Sequence, residues 1–152
     1  MKEYRSPVIF LAGPTVRGNQ QHLISWRGDC IDEFERQGFD GVLILPEFSN
    51  KTESDKSKDW IPLWEFEGLK WSDCILFWIP RTRELIGLTT NFEIGYWLAR
   101  APNKVVYGRP DGAYRIRYLD IMWKADRDNP TIYNTMKDTV KKAIAVATFG
   151  YE

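Results

Sequence analysis

Residues 7–14 read PVIFLAGP, a continuous apolar run from Pro7 to Ala12 closed by Gly13 and Pro14. A strand with one face in water alternates apolar and polar residues; a strand covered on both faces need not. The run therefore predicts a buried parallel strand followed by a turn. Three more segments have this character: Val42–Leu45, closed by Pro46, then Cys74–Ile79, then Lys104–Tyr107.

Helical patterns fall between and after them. From about Asn19 to Gln37, Leu23, Trp26, Cys30, Ile31 and Phe34 share one helical face, and Gly38 stands where a terminating glycine belongs. Asp59 is placed to cap a second helix whose large apolar positions include Trp64, Leu69 and Trp71. A third helix occupies the end of the stretch Ile86–Arg100, and Ala113–Trp123 reads as a fourth in preference to a strand over YRIRYL. Thr131–Ala147 is an amphipathic helix with Met136, Val140, Ile144 and Ala147 inward. Ser49–Lys58 is polar, without periodicity, and reads as a loop near the pocket. Strands alternating with helices predict βαβ units, hence an α/β fold with a parallel sheet covered on both faces. Ligands bind such sheets at the carboxyl ends of the strands, beside the switch in strand order.

Length and charge narrow the function. The 152 residues suit a single domain, residues 1–152, without repeat or linker. With 21 basic and 21 acidic residues and no basic stripe, neither nucleic acid nor an anionic membrane surface is an expected partner. Val8–Ala12 is too short for a signal-peptide core or a membrane span, and a cytoplasmic location is expected. Cys30 and Cys74 lack metal-ligand spacing and read as small core residues in a reducing compartment. The single histidine, His22, has no metal-binding neighbours, so no metal and no cofactor are expected.

The chemistry is concentrated in IGLTTNFEIGYWLAR, residues 86–100. Thr89, Thr90 and Asn91 are good N-cap residues, and Phe92, Ile94, Tyr96, Trp97 and Leu98 predict a buried helix. Glu93 then falls in the first turn, where N–H groups and the helix dipole favour an ionised carboxylate fit to act as nucleophile. The same residues also read as a Thr90-x-x-Glu93 capping box. Gly13 with Pro14, Thr15, Arg17 and Gly18 forms a turn that a ligand can approach closely, though it lacks the pattern of a phosphate-binding loop. Glu65 and Glu67 lie two apart on a helix, so only one can face the strand ends. Retaining glycosyl transfer uses one carboxylate at the anomeric carbon and a second group for the leaving group's proton. Glu93 and a carboxylate from the Glu65 helix would supply that pair.

The strand IFLAGP, the segment WEFEGLKWSD followed by CILFWIP, and GLTTNFEIGYWLA resemble the nucleoside 2-deoxyribosyltransferase family, over roughly residues 7 to 123. The resemblance implies a flavodoxin-like three-layer sandwich with a four- or five-stranded parallel sheet. It implies cleavage of the N-glycosidic bond of 2′-deoxynucleosides or their monophosphates, through a deoxyribosyl–glutamate passed to another nucleobase, or to water in a hydrolase branch. On that resemblance Glu93 is the nucleophile. Glu65, eight residues before the strand aspartate and where relatives often have aspartate, contacts the base and its proton. Asp73 is the strand aspartate, and Gly13 and Pro14 flank the sugar. Two positions depart from the pattern: Phe10 replaces a tyrosine that hydrogen-bonds the nucleophile, leaving Asn91 to orient it, and Gly87 stands where some relatives have aspartate.

A 2-deoxyribosyl group lacks the electron-withdrawing 2′-hydroxyl, so one ionised carboxylate and protonation of the base suffice. The expected function is therefore transfer of deoxyribose between nucleobases. The alternatives are a 2′-deoxynucleoside 5′-monophosphate hydrolase, for which Arg17 suits the phosphate, and a non-catalytic nucleotide-binding module. Relatives assemble as dimers or larger rings, so a homo-oligomer is expected; the tail Phe149–Glu152 reads either as a frayed end, the simpler reading, or as a segment completing a neighbour's pocket.

Overall fold

The computed structural model describes residues 5–47, 60–125, 127–128 and 130–150. The expected loop Ser49–Lys58, the Asp59 cap and the last two residues of the tail lie outside them. Four strands, β1 (Val8–Ala12), β2 (Val42–Ile44), β3 (Cys74–Trp78) and β4 (Val105–Gly108), form one sheet in the order β2-β1-β3-β4. Every pairing is parallel, with Phe10 opposite Ile44 on one side and Ile75 on the other. A fifth position is filled by one residue. Tyr133 bridges Gly108, donating its N–H to the Tyr107 carbonyl (3.2 Å) and accepting from Arg109 (2.9 Å). This is the flavodoxin-like order, with its switch point between β1 and β3.

Five helices complete three layers: α1 (Trp26–Arg36), α2 (Trp60–Trp71), α3 (Leu88–Arg100), α4 (Arg117–Ala125) and α5 (Met136–Phe149). Ile9, Leu11, Cys74, Leu76, Trp78 and Val106 point to one face, where they meet Trp26, Cys30 and Phe34 of α1 and Val140, Ala143 and Val146 of α5. Phe10, Ala12, Ile75, Phe77, Val105 and Tyr107 point to the other, against Leu69 of α2, Ile94 and Trp97 of α3, and Leu119 and Trp123 of α4. Both faces being dry is why β1, β3 and β4 read as apolar runs, while the edge strand β2 leaves Val42 exposed. At the far edge the Tyr107 hydroxyl and the Arg109 guanidinium both donate to Asp120, pinning α4 to the end of β4.

Some helix bounds and faces differ from the sequence reading. The first helix starts at Trp26 rather than Asn19, because Ser25 caps it by accepting from the Arg27 N–H. Ile31, expected inward, is 37% exposed. Gly38 does terminate the helix: at φ +72 it lets its own N–H reach the Glu35 carbonyl and Phe39 N–H the Phe34 carbonyl, with the Phe34 and Phe39 rings in contact. The last helix starts at Met136, capped by Thr135, because the residues before it run beside β4. In α2 only Leu69 is buried, and Trp64 and Trp71 lie on the outer surface. Both cysteines are in the core, where burial pushes the Cys30 thiol up to about 12. Among the described residues no helix is long and apolar enough to cross a membrane.

The carboxyl end of α2 is held by a cation. The Lys104 ammonium donates to the carbonyls of Leu69 (2.6 Å), Lys70 (3.1 Å) and Ser72 (3.1 Å) and lies 4.6 Å from the Trp97 ring centre. Hydrogen bonds to a charged group and a cation over a ring together contribute about 2 kcal/mol. Lys104→Met should therefore lower the melting temperature by about 5 °C, and an unchanged melting curve would show that water caps these carbonyls equally well.

Candidate functional site

The site begins at the turn after β1. Gly13 has φ +150, and a Cβ there would stand 2.2 Å from the Trp78 carbonyl oxygen and 2.8 Å from the Trp26 ring. Only glycine lets β1, β3 and α1 meet this closely. The Trp26 indole donates to the Pro14 carbonyl (2.9 Å). Beside it, Arg27 is 1% exposed and donates to the carbonyls of Leu11 (3.0 Å) and Gly13 (3.1 Å), to the Thr15 hydroxyl (3.1 Å) and to the Glu47 carboxylate (2.9 Å). The start of α3 rests on the same turn: Gly87, at φ +63, has no room for a Cβ, which would lie 2.8 Å from the Pro14 ring.

That start differs from the expected cap. The residue capping α3 is Gly87, which has no side chain to offer, and Thr90 is buried inside the helix. There is no Thr90–Glu93 capping box. Glu93 is the sixth residue of the helix, beyond its first turn, so the free N–H groups and the dipole act on it weakly. Phe92, expected inward, is 75% exposed.

Burial and a neighbouring carboxylate govern Glu93 instead. Glu65, on α2, is partly buried and its charge acts on Glu93, while Glu67 is exposed and pairs with Lys70 (3.2 Å). Burial first, then the Glu65 charge, push Glu93 up to about 7, with Arg27 opposing. Burial also raises Glu65, against the pull of Arg27 and Arg17. Two carboxylates in one poorly hydrated place hold a shared proton more tightly than either would alone.

The other candidates divide. Gly13, Pro14 and Thr15 lie in the turn, and the Thr15 hydroxyl, accepting from Arg27, can still donate to a ligand. Arg17 is exposed on the loop that follows, and its charge reaches Glu65. The Asn91 side-chain oxygen accepts from Arg81 (2.6 Å), so it anchors α3 to the end of β3 rather than orienting Glu93. Phe10 is not a pocket residue: it is 1% exposed, with its ring under the α2 backbone, 3.0 Å from where a Cβ on Gly68 would be. Asp73 stands at the amino end of β3, opposite to the site. Its oxygens accept from Arg5 (2.6 Å) and the Val8 N–H (2.8 Å), which makes it a structural residue.

Sequence reading missed Arg27, Arg81 and Glu47. Arg27 was detectable: it lies three residues before Cys30 and seven before Phe34, a cation on the core side of its helix. Among the described residues no three His, Cys, Asp or Glu side chains gather as metal ligands would.

The fold and these residues together make this a flavodoxin-like α/β protein with two partly buried carboxylates near a glycine turn at its switch point. Residues 6–111 match the family described as nucleoside 2-deoxyribosyltransferase like, and the chain belongs to that family. No curated protein matches it significantly.

The raised carboxyl has a stability consequence. Glu93 binds its proton more tightly folded than unfolded, so its stabilising contribution is full below about 4.5 and is lost as the pH rises through about 7. At pH 8 Glu93→Gln should be more stable than the parent by about 2 kcal/mol, and the difference should close by pH 4.5. Thermal melts at both pH values check this, and a pH-independent difference would mean that Glu93 is not desolvated.

Proposed function

We propose that this protein is an N-deoxyribosyltransferase acting on 2′-deoxynucleosides. The observation that carries the reading is the Glu93–Glu65 pair: burial and then the Glu65 charge push Glu93 up to about 7, and burial raises Glu65. With one proton between them, Glu93 attacks C1′ as the carboxylate while the Glu65 carboxyl donates its proton to the departing base nitrogen. The C1′–N bond breaks and a C1′–O ester to Glu93 forms. An acceptor base then attacks C1′, its N–H proton passes to Glu65, and the Glu93 carboxylate is released. The Gly13–Thr15 turn is the wall on which the sugar rests.

Arg17 supports a second reading. Exposed beside Glu65, it suits a 5′-phosphate, and water in place of the acceptor base would make the protein a 2′-deoxynucleoside 5′-monophosphate N-glycosidase. The reading includes self-association. Leu63 and Phe66 on α2 and Leu88 and Phe92 on α3 are exposed, with Phe66 and Phe92 both in ring contact with Tyr96. A second copy of the chain is the proposed occupant of this face. Phe92→Asp should shift the mass measured by light scattering towards the monomer; the same mass in both proteins would move the interface elsewhere.

Intact-protein mass spectrometry after incubation with 2′-deoxynucleosides tests the chemistry. A deoxyribosyl adduct is expected on the parent and not on Glu93→Ala, with base exchange visible by chromatography. Base release from monophosphates without exchange would select the hydrolase. A folded protein giving neither adduct nor free base would be a binding module. The pH dependence of kcat/KM should be bell-shaped, falling through a base limb near 7 as the pair loses its last proton.

A further inference from the structure

We infer that Arg27 is the positioning residue of this site: its buried guanidinium joins the ends of β1 and β2 to α1 and sets a fixed positive charge against Glu93 and Glu65, deciding the pH at which Glu93 ionises. The inference rests on the reading of Glu93 as nucleophile only for its consequence in catalysis.

The geometry comes first. One guanidinium donates to Leu11 and Gly13 in β1 and its turn, to Thr15 in the loop, and to Glu47 after β2. The group lies against the Trp26 ring, 4.6 Å from its centre. The start of α3 packs on Pro14 in that same turn, so the frame held by Arg27 is the frame that locates Glu93.

The charge follows from burial. Arg27 has a counter-ion in Glu47, but the two are unequally hydrated: the Arg27 side chain is 1% exposed and that of Glu47 31%. Water screens the half-exposed carboxylate more than the buried cation, so the pair presents a net positive field towards the interior. Three neutral carbonyl or hydroxyl acceptors do not cancel it.

The groups facing Glu93 among the described residues come from two elements: Glu65 from α2, which favours the protonated form, and Arg27 from α1, which favours the ionised form. Arg17, on the loop after β1, acts on Glu65. Asn91, on the helix of Glu93 itself, is occupied by Arg81. Without the Arg27 charge the carboxylate pair would hold its last proton to higher pH.

The test is a titration of the Glu93 carboxyl by 13C NMR in the full chain, which does not depend on any activity. Arg27→Gln should move the midpoint up by about one pH unit, a tenfold smaller ionised fraction at a given pH below it. Arg27→Lys should leave it close to the parent. Glu47→Gln keeps an oxygen for Arg27 to bond but removes the counter-charge, and should move the midpoint down by about half a unit. An unmoved midpoint in Glu47→Gln, or in a folded Arg27→Gln protein, overturns the inference. If Arg27→Gln does not fold, Glu47→Gln decides alone. The base limb of kcat/KM should move with the midpoint in each variant. Midpoints that move in a protein releasing no base would overturn the proposed function and leave the role of Arg27 standing.

Discussion

The close approach at Gly13 constrains everything around it. The backbone there runs between the Trp78 carbonyl and the Trp26 indole with no space for a Cβ. A chain forced this tightly leaves its carbonyls turned away from strand partners, and buried carbonyls need donors. Trp26 and Arg27, consecutive in the first turn of α1, supply them. The helix, the turn and the two central strands are thus one mechanical unit. The amino end of α3 is added to it by a second glycine, Gly87, seated on Pro14.

A frame of that rigidity tolerates an unfavourable burial. Two partly buried carboxylates whose charges repel destabilise a fold, and this one compensates with two apolar layers on a sheet whose strands, the edge strand β2 apart, are excluded from solvent. Arg27 occupies both roles, hydrogen-bond donor to the frame and counter-charge to the acids, and a neutral side chain can fill only the first. The far edge is organised differently, with the Tyr107 hydroxyl bonded to Asp120 and an Arg109–Asp120 ion pair locking α4.

The outer face of α2 and α3 obeys another logic. An apolar helix usually signals burial, yet α2 covers the sheet with Leu69 and turns Leu63, Trp64 and Trp71 outward. Periodicity could not distinguish this from a core helix, because the helix is apolar nearly all round. The same ambiguity made Phe92 look internal. Aromatic residues on a surface and in a core carry the same hydropathy; only the neighbouring elements tell them apart.

The strands and their parallel sense were determined by the sequence alone, because a strand dry on both faces must be apolar throughout and a parallel neighbour needs a helix between. So was the terminating role of Gly38, whose conformation other residues resist; Glu93 and Glu65 were named as a pair only by the family resemblance. Tertiary structure decided the rest. Helix starts moved to Ser25 and Thr135, because a cap depends on where the preceding chain is held and not on composition. Phe10 went to the core and Asp73 to the opposite end of β3, because strand register assigns a residue's face and height, and register is set by partners far away in the chain. The place of Arg27 on the core side of its helix is legible in the sequence, but its partners are not: the carbonyls of Leu11 and Gly13, the Thr15 hydroxyl and the Glu47 carboxylate converge on it only in three dimensions. The protonation of Glu93 is likewise a tertiary property: local sequence supplies a helix end, whereas burial and the approach of Glu65 set the charge.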